Sequence, residues 1–249
     1  MKILTLADVE SKALWEHLDR DYLNSADLIL SAGDLKPDYL EYLTTFARAP
    51  ILYVFGNHDR THGKRAPEGC ICIEDKIYEY NGLRILGLGG SMRYKPGPDQ
   101  YTNEEMARRI HKLRYQLYFK KGFDILLTHS PAKSLGDSED LTHTGFDNFV
   151  TLLDKYQPKY MIHGHVHLNY GQNIERVRTY GETTLINAYE KYTNSSSGFS
   201  AGSTDVAYKT GPLPLYSMAN SYLISAVTQT HERCSRLSAL SYLHFIPIN

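Results

Sequence analysis

The feature that most constrains the fold is a unit repeated near the start of the chain, in which a short apolar strand leads into a loop with acidic or polar side chains. The apolar runs cover residues 3–7, 28–30 and 51–55, and helical spacing of apolar residues follows the first two. Alternating units of this kind form a sheet covered by helices. Because such folds place their chemistry beyond the carboxyl ends of strands, we expect the functional residues in these loops.

After residue 70 the pattern changes to short strands, at residues 70–73, 76–80 and 83–88. Asn81-Gly82 between the last two is typical of a tight hairpin turn. This segment predicts a second sheet or an antiparallel edge. Further strands are expected at residues 124–128, 160–163, 174–179 and 183–187.

Apolar residues at helical spacing predict four helices. The first begins near Ser11 and carries apolar positions at Leu14, Trp15, Leu18 and Leu23. The second begins at Pro37 and is stopped by Pro50, and the last covers residues 145–156. A long helix capped by Thr102 or Asn103 has its apolar residues on one side. Its basic residues are expected to lie on a solvated face: Arg108, Arg109, Lys112, Arg114 and Lys120.

Composition narrows the class of protein and its partners. The chain has 249 residues and a formal net charge of -1, which disfavours binding to nucleic acid or to an anionic membrane through overall charge. Cys70, Cys72 and Cys234 are too few for a disulfide framework and are interpreted as reduced core residues. The apolar start is too short for a signal peptide, and no run approaches transmembrane length. We therefore expect a cytoplasmic protein with no membrane partner.

The end of the chain differs from the rest. From about Thr193 the sequence is rich in serine, threonine and tyrosine and shows no sustained helical or strand periodicity. We predict one domain over residues 1–192 and a poorly patterned linker and tail over residues 193–249.

The polar residues at the predicted strand ends are of types that bind metals: Asp8, Glu10, Asp34, Asn57, His58, His129, His165 and His167. Folding of an ordered sheet should gather them at one edge. A single zinc needs only three or four ligands, so this number fits two metals better. Two metals about 3.5–4 Å apart can hold phosphoryl oxygens and activate a water. The mix of carboxylate, amide and imidazole suits Mn, Fe, Zn or Co.

These residues also carry a resemblance to a known family. Asp8-x-Glu10, Gly33-Asp34, Gly56-Asn57-His58-Asp59, Thr128-His129 and Gly164-His165-x-His167 occur in the order of the motifs of calcineurin-like metallophosphoesterases. The resemblance covers about residues 1–192. It implies a mixed α/β (α+β) fold, with a two-sheet β-sandwich flanked by helices. It also implies a metal-dependent hydrolase of phosphate esters.

The same resemblance implies roles for individual residues. Asp34 would bridge two metals, Asp8 and His167 would hold the first metal, and Asn57, His129 and His165 would hold the second. His58 would contact the phosphate and protonate the leaving oxygen, a role that suits imidazole near neutral pH. Asp59 is a candidate to orient His58.

The first motif departs from the family pattern, which usually reads Asp-x-His where this chain has Glu10. A carboxylate is a harder ligand than imidazole and should shift the first site toward Mn or Mg. Ligation by Glu10 and its orientation toward solvent are both open at this stage. We expect two divalent metal ions, with Mn preferred and Fe, Zn, Ni or Mg as alternatives.

Four further residues are candidates near the phosphate. His143 precedes a helix and could reach the phosphate, although a helix-capping loop explains it as well. Arg93 suits a phosphate contact, and a surface arginine is the alternative. Asn169 and Tyr170 could line a leaving-group pocket or pack under the next hairpin. The substrate-binding residues are thus predicted to be Asn57, His58, Arg93 and His143.

The sequence favours a phosphodiesterase or phosphatase acting on a small nucleotide-like or phospho-substrate. A nuclease is disfavoured by the balanced charge. The alternative from another class is a non-catalytic scaffold of the same fold, as in the retromer component that resembles these enzymes. Glu10 is the kind of departure a scaffold would show, whereas a scaffold should have lost His58, which is retained.

Overall fold

The computed structural model describes residues 1–59, 65–138, 140–168 and 175–194. The strands are β1 (Ile3–Ala7), β2 (Leu28–Ser31), β3 (Ile51–Tyr53), β4 (Ile71–Cys72), β5 (Lys76–Tyr80), β6 (Leu83–Leu88), β7 (Ser91–Met92), β8 (Gln100–Tyr101), β9 (Ile125–Thr128), β10 (Tyr160–His163), β11 (Val177–Tyr180), β12 (Thr183–Asn187) and β13 (Glu190–Asn194). The helices are α1 (Lys12–Trp15), α2 (Arg20–Asn24), α3 (Pro37–Phe46), α4 (Asn103–Lys112), α5 (Arg114–Phe119) and α6 (Asp147–Tyr156).

The strands form two main sheets. The first has the order β13-β1-β2-β3-β4, and the second has the order β11-β12-β10-β9-β6-β5. Strands β1 to β4 are parallel, as are β6, β9, β10 and β12. The outer strands β13, β5 and β11 pair antiparallel with their neighbours. The parallel strands therefore direct their carboxyl ends, with the loops that follow, to one edge of each sheet.

Apolar side chains are buried between the two sheets and also on the outer face of each sheet. Apolar side chains of both sheets, such as Leu30 and Leu127, belong to one buried cluster, which shows that the sheets pack face to face. The outer face of the first sheet is covered by α1, α2 and α3, and that of the second by α4, α5 and α6. This arrangement confirms the predicted two-sheet β-sandwich flanked by helices. The hairpin at Asn81-Gly82 is also confirmed, between β5 and β6.

Two predicted helices are each divided in the structure. The helix expected to run from Ser11 past Leu23 is replaced by α1 and α2, because Leu18 has a φ of 38° and leaves the helical conformation. The Asp19 side chain then starts α2 by accepting the N–H of Tyr22 at 2.9 Å. The long helix after Thr102 is divided at Leu113 into α4 and α5. The apolar spacing continues across both breaks, which is why the sequence did not reveal them.

The expectation of a solvated basic face is wrong for Arg109, which is buried. Its guanidinium pairs with the carboxylates of Glu74 and Asp75 and donates to the carbonyl of Gly89 at 2.8 Å. Glu74 is itself enclosed and accepts the backbone N–H of Phe55 at 3.1 Å. A buried carboxylate requires a partner, so Glu74 draws Arg109 inward.

The cysteines and the end of the described chain differ in part from the expectations. Cys70 and Cys72 are free thiols, as expected, but each is half-buried instead of lying in the core, and Cys234 lies outside the described residues. Strand β13 was not expected, and it continues through Asn194, past the predicted boundary at residue 192. The rest of the predicted tail, from residue 195, lies outside the described residues. In the described part of the chain, every helix is too short or too polar to cross a membrane.

The start of α4 gives a first testable prediction. Thr102 accepts the N–H of Glu105, whose side chain accepts the N–H of Thr102 in return. Thr102→Ala removes this cap, so we expect the free energy of unfolding to fall by about 1 kcal/mol in urea denaturation. Thr102→Ser keeps the hydroxyl and should remain close to the parent protein. Equal stability of all three proteins would contradict the role of the cap.

Candidate metal centre

Five candidate ligands lie just beyond the carboxyl ends of parallel strands. Asp8 follows β1, Asp34 follows β2, Asn57 follows β3, His129 follows β9 and His165 follows β10. The first three belong to one sheet and the last two to the other. The two sheets therefore present these side chains at a shared edge of the sandwich, as expected from the sequence.

Three of these residues converge closely. Ligand atoms of Asp8, Asp34 and His129 all lie within 4.8 Å of one another. His129 Nε2 lies 3.3 Å from Asp34 Oδ2 and 2.9 Å from Asn57 Oδ1. The side-chain oxygens of both carboxylates and of the amide thus surround one edge of the His129 ring.

The hydrogen bond on the other edge of His129 fixes its tautomer. Its Nδ1 lies 2.8 Å from the carbonyl oxygen of Ala32. A carbonyl can only accept, so Nδ1 carries the hydrogen and Nε2 faces the oxygens of Asp34 and Asn57. This second hydrogen bond is the usual support of a histidine that binds a metal.

The charges at this site fit a divalent cation. Burial would lower the pKa of His129, but the negative charges of Asp34 and Asp8 outweigh burial and raise it to about 9. Without metal, His129 therefore keeps a proton on Nε2, which faces the oxygens of Asp34 and Asn57. Metal ligands must lose their protons, and a cation at this position would replace that proton. Carboxylate and amide oxygens with imidazole nitrogen suit Mn, Zn or Fe.

The two carboxylates have different surroundings. Burial raises the pKa of Asp8 to about 7, and the nearby charge of Asp34 adds to this effect. Burial also acts to raise the pKa of Asp34, but the charge of His129 and the hydrogen bonds to Asp34 hold it below its usual range. Asp34 is therefore ionised at neutral pH, whereas Asp8 needs a further positive charge nearby to be fully ionised.

Several of these residues adopt an unusual backbone conformation. Asp8, Asp34 and His165 have φ angles of 66°, 58° and 69°. Non-glycine residues rarely adopt this left-handed conformation, and such strain concentrates at functional sites. Gly33 has a φ of 93° and packs against the backbone of Gly56, where a Cβ would not fit. The loops after β2 and β3 can approach each other only because of these two glycines.

The two histidines that follow β10 lie in different surroundings. The backbone N–H of His165 donates to both carboxylate oxygens of Asp8, at 3.0 and 3.1 Å. Its Nε2 lies 2.7 Å from the carbonyl of Thr142, so Nε2 carries the hydrogen and Nδ1 remains to bind a metal. The His165 ring lies 4.8 Å from the His129 ring, and the His167 ring lies 4.9 Å from the Tyr189 ring.

The side chain of His58 faces solvent, whereas that of Asp59 contacts the backbone of the neighbouring loops. The His58 side chain is exposed, while its backbone N–H donates to Asp34 Oδ1 at 2.8 Å. Asp59 was expected to orient His58, but its Oδ2 accepts the N–H groups of Asp34 and Gly56, at 2.9 and 2.7 Å. That carboxylate therefore ties the loops after β2 and β3 together. Burial raises the pKa of Asp59 to about 6.

Two other predicted residues lie in ion pairs. Glu10 is not among the side chains that converge within 4.8 Å, and its carboxylate lies 3.4 Å from Lys36 Nζ. The Arg93 guanidinium donates to Glu105 at 2.6 Å and to the carbonyl of Gln100 at 3.2 Å. A phosphate contact by Arg93 would compete with Glu105 and stays a prediction.

His143, the predicted phosphate contact, lies beside His165, a candidate metal ligand. The His143 ring lies 5.2 Å from the His165 ring. Its Nδ1 lies 2.9 Å from each carboxylate oxygen of Asp140, which holds the ring in place. Asp140 also accepts the N–H groups of Thr142 and His143, so it closes a turn ahead of α6. Among the described residues no side chain caps α6, whose N-cap residue is Phe146, so the helix-capping explanation is wrong, and a phosphate contact by His143 stays a prediction.

The matches to known proteins agree with this geometry. The sequence model described as calcineurin-like phosphoesterase matches residues 1–169, which include every predicted ligand. The chain belongs to the calcineurin-like phosphoesterase family. The resemblance drawn from its motifs is thereby confirmed.

Two individual proteins are similar to this chain over part of its length. A UPF0046 protein from Caenorhabditis elegans is 34% identical over 125 residues, which are 48% of this chain and 41% of that protein. The chain thus spans about two fifths of the length of this curated relative. The protein TT1561 of Thermus thermophilus is 16% identical, with a TM-score of 0.53, over 76% of this chain and 89% of that chain. This identity shows a shared fold alone.

The family motifs do not include every residue that touches the site. The Tyr94 hydroxyl accepts a hydrogen bond from Asn57 Nδ2 at 3.3 Å, and Tyr189 packs against His167. Neither tyrosine is in a motif, so only the folded chain reveals their contacts. Asn169 and Tyr170, expected near the leaving group, lie outside the described residues.

Proposed function

We propose that this calcineurin-like phosphoesterase hydrolyses phosphate esters at a dinuclear metal centre, as a phosphodiesterase or phosphatase for a small nucleotide-like or phospho-substrate. The observation that carries the proposal is the convergence of Asp8, Asp34 and His129 within 4.8 Å, with the Asn57 oxygen beside them. A set of hard oxygens and imidazole at the edge of a sandwich suits a divalent metal and an anionic substrate.

The ligands are proposed to divide between two metals. Asp34 would bridge, Asp8 and His167 would hold the first metal together with Glu10, and Asn57, His129 and His165 would hold the second. Bound there, two divalent metals would neutralise phosphoryl charge and lower the pKa of a bound water. Mn²⁺ is the metal we favour, because three carboxylates are offered and no thiolate is part of the set.

The protein side chains contribute positioning and proton transfer. The exposed His58 imidazole stands on the loop that also carries Asn57, so it can reach the oxygen that leaves the phosphorus. A proton donated there would prevent the departure of an unstable alkoxide. The Asp140-oriented ring of His143, beside His165, is proposed to contact a phosphate oxygen.

Hydrolysis of two chromogenic substrates tests this function. Metal-stripped protein is assayed with para-nitrophenyl phosphate and with bis-para-nitrophenyl phosphate, after separate addition of Mn²⁺, Mg²⁺, Ni²⁺, Zn²⁺ or Fe²⁺. We expect turnover only with added metal, and the ratio of the two rates gives the preference for monoester or diester. Folded protein that binds metal but hydrolyses neither substrate would favour the non-catalytic scaffold.

Glu10 gives a second prediction, because its ion pair with Lys36 competes with its proposed role as a ligand. We expect Glu10→His to shift the metal that best restores turnover from Mn²⁺ toward Zn²⁺ or Fe²⁺, since imidazole is a softer ligand than carboxylate. The measurement is the order of restored rates with each metal. Glu10→Gln serves as the control that removes the charge without adding a nitrogen ligand. An unchanged order and an unchanged metal stoichiometry in Glu10→His would show that Glu10 is not a ligand.

A further inference from the structure

We infer that Tyr94 is a positioning residue for Asn57, holding the side-chain amide so that its oxygen faces the metal ligands. This inference rests on the metal centre proposed above. Tyr94 lies in the loop between β7 and β8, away from every motif that identifies the family.

The Asn57 amide is held at both ends. Its Oδ1 lies 2.9 Å from His129 Nε2, and its Nδ2 donates to the Tyr94 hydroxyl at 3.3 Å. Asn57 is only 1% exposed, so bulk water does not compete for these contacts. The amide can offer its oxygen to a cation only while its nitrogen is directed at Tyr94.

The orientation of the amide matters because its two ends are alike in size but opposite in chemistry. The oxygen can bind a cation, whereas the N–H groups repel one. A rotated Asn57 amide would replace an oxygen ligand with N–H groups beside His129. A hydrogen bond to the nitrogen end reduces this rotation before a metal binds, and such supporting contacts strengthen metal binding.

Tyr94 is itself fixed by its own loop. Gln100 Oε1 accepts the Tyr94 N–H at 3.4 Å. The preceding residue, Arg93, donates its backbone N–H to Tyr101 at 3.0 Å and its guanidinium to Glu105. The arginine expected at the phosphate thus anchors the loop, and the next residue reaches the metal ligands. Tyr94 can therefore orient Asn57 without a change in the loop.

The test measures Mn²⁺ binding to metal-stripped proteins by isothermal titration calorimetry. We expect Tyr94→Phe to weaken the binding of one of the two Mn²⁺ ions by about tenfold and to leave the other unchanged. Tyr101→Phe is the matched control, because it removes a hydroxyl from a nearby tyrosine on β8 that contacts Asp99 instead of Asn57. It should bind both ions as the parent protein does.

A double-mutant cycle separates positioning from a general effect on the loop. If Tyr94 acts through the amide, Tyr94→Phe should not change Mn²⁺ affinity further once Asn57→Ala is present. Equal losses in both backgrounds, or no loss in Tyr94→Phe alone, would overturn the inference while leaving the metal centre intact. A parent protein that binds no Mn²⁺ would overturn the proposed centre and the inference together, so the two failures are distinct.

Discussion

Asp34→Asn is expected to lower phosphate-ester turnover at least about a thousandfold, because the proposed bridging carboxylate supports several kcal/mol of charge stabilisation. One oxygen of Asp34 already accepts the His58 N–H, and the other faces His129. Asparagine keeps a single oxygen, so it cannot maintain the hydrogen bond and bridge two metals. Initial rates with both chromogenic substrates, together with Mn²⁺ stoichiometry by mass spectrometry, measure the effect.

The Asn substitution is chosen because it should not disturb the backbone. Asp34 has a φ of 58°, and asparagine is among the residues that tolerate this conformation best. The control is Asp38→Asn, which makes the same charge change at an exposed carboxylate on α3 and should leave turnover unchanged. Full turnover by a folded Asp34→Asn protein would show that Asp34 does not bridge.

His58→Ala is expected to lower turnover by about 10²- to 10⁴-fold while Mn²⁺ binding is retained. The structure separates these two effects, because His58 supports Asp34 through its backbone N–H, which alanine preserves. Only the exposed imidazole is lost. The measurement pairs initial rates with calorimetric Mn²⁺ binding, and His17→Ala, at another exposed histidine, is the control.

The leaving group distinguishes proton donation from other roles of His58. A nitrophenolate leaves readily without a proton, whereas an alkoxide does not, so the loss should be larger for an alkyl ester. Equal losses for both substrates would point to phosphate binding instead. Unchanged turnover with both would contradict any catalytic role of His58.

The convergence of the candidate ligands could be expected from the sequence because these residues follow strands directly. Asp8, Asp34, Asn57 and His129 each come just after an apolar run, and parallel strands carry such residues to one edge. The residue pattern also predicted the turn at Asn81-Gly82, whereas the two-sheet sandwich was expected from the resemblance to the family. These features depend on local pattern and on chain order, which a single sequence contains.

Contacts between distant segments could not be predicted in this way. Arg109 has the spacing of an exposed helical residue, and only the folded chain brings Glu74 to it. Asp59 is next to His58 in sequence, yet its carboxylate turns to the backbone of Asp34 and Gly56. Strand β13 has polar, half-buried residues at a sheet edge, so it lacks the alternation that predicts a strand.

The pairing of β13 with β1 has a consequence for how the protein forms in the cell. Thr5 on β1 donates to the carbonyl of Tyr192, 187 residues further along the chain. At about 5–20 residues per second, the ribosome completes the partner strand roughly 10–40 seconds after β1. During that interval one edge of β1, directly before Asp8, has not yet paired with β13. We therefore expect the nascent chain to bind metal only after the segment that forms β13 has been synthesised.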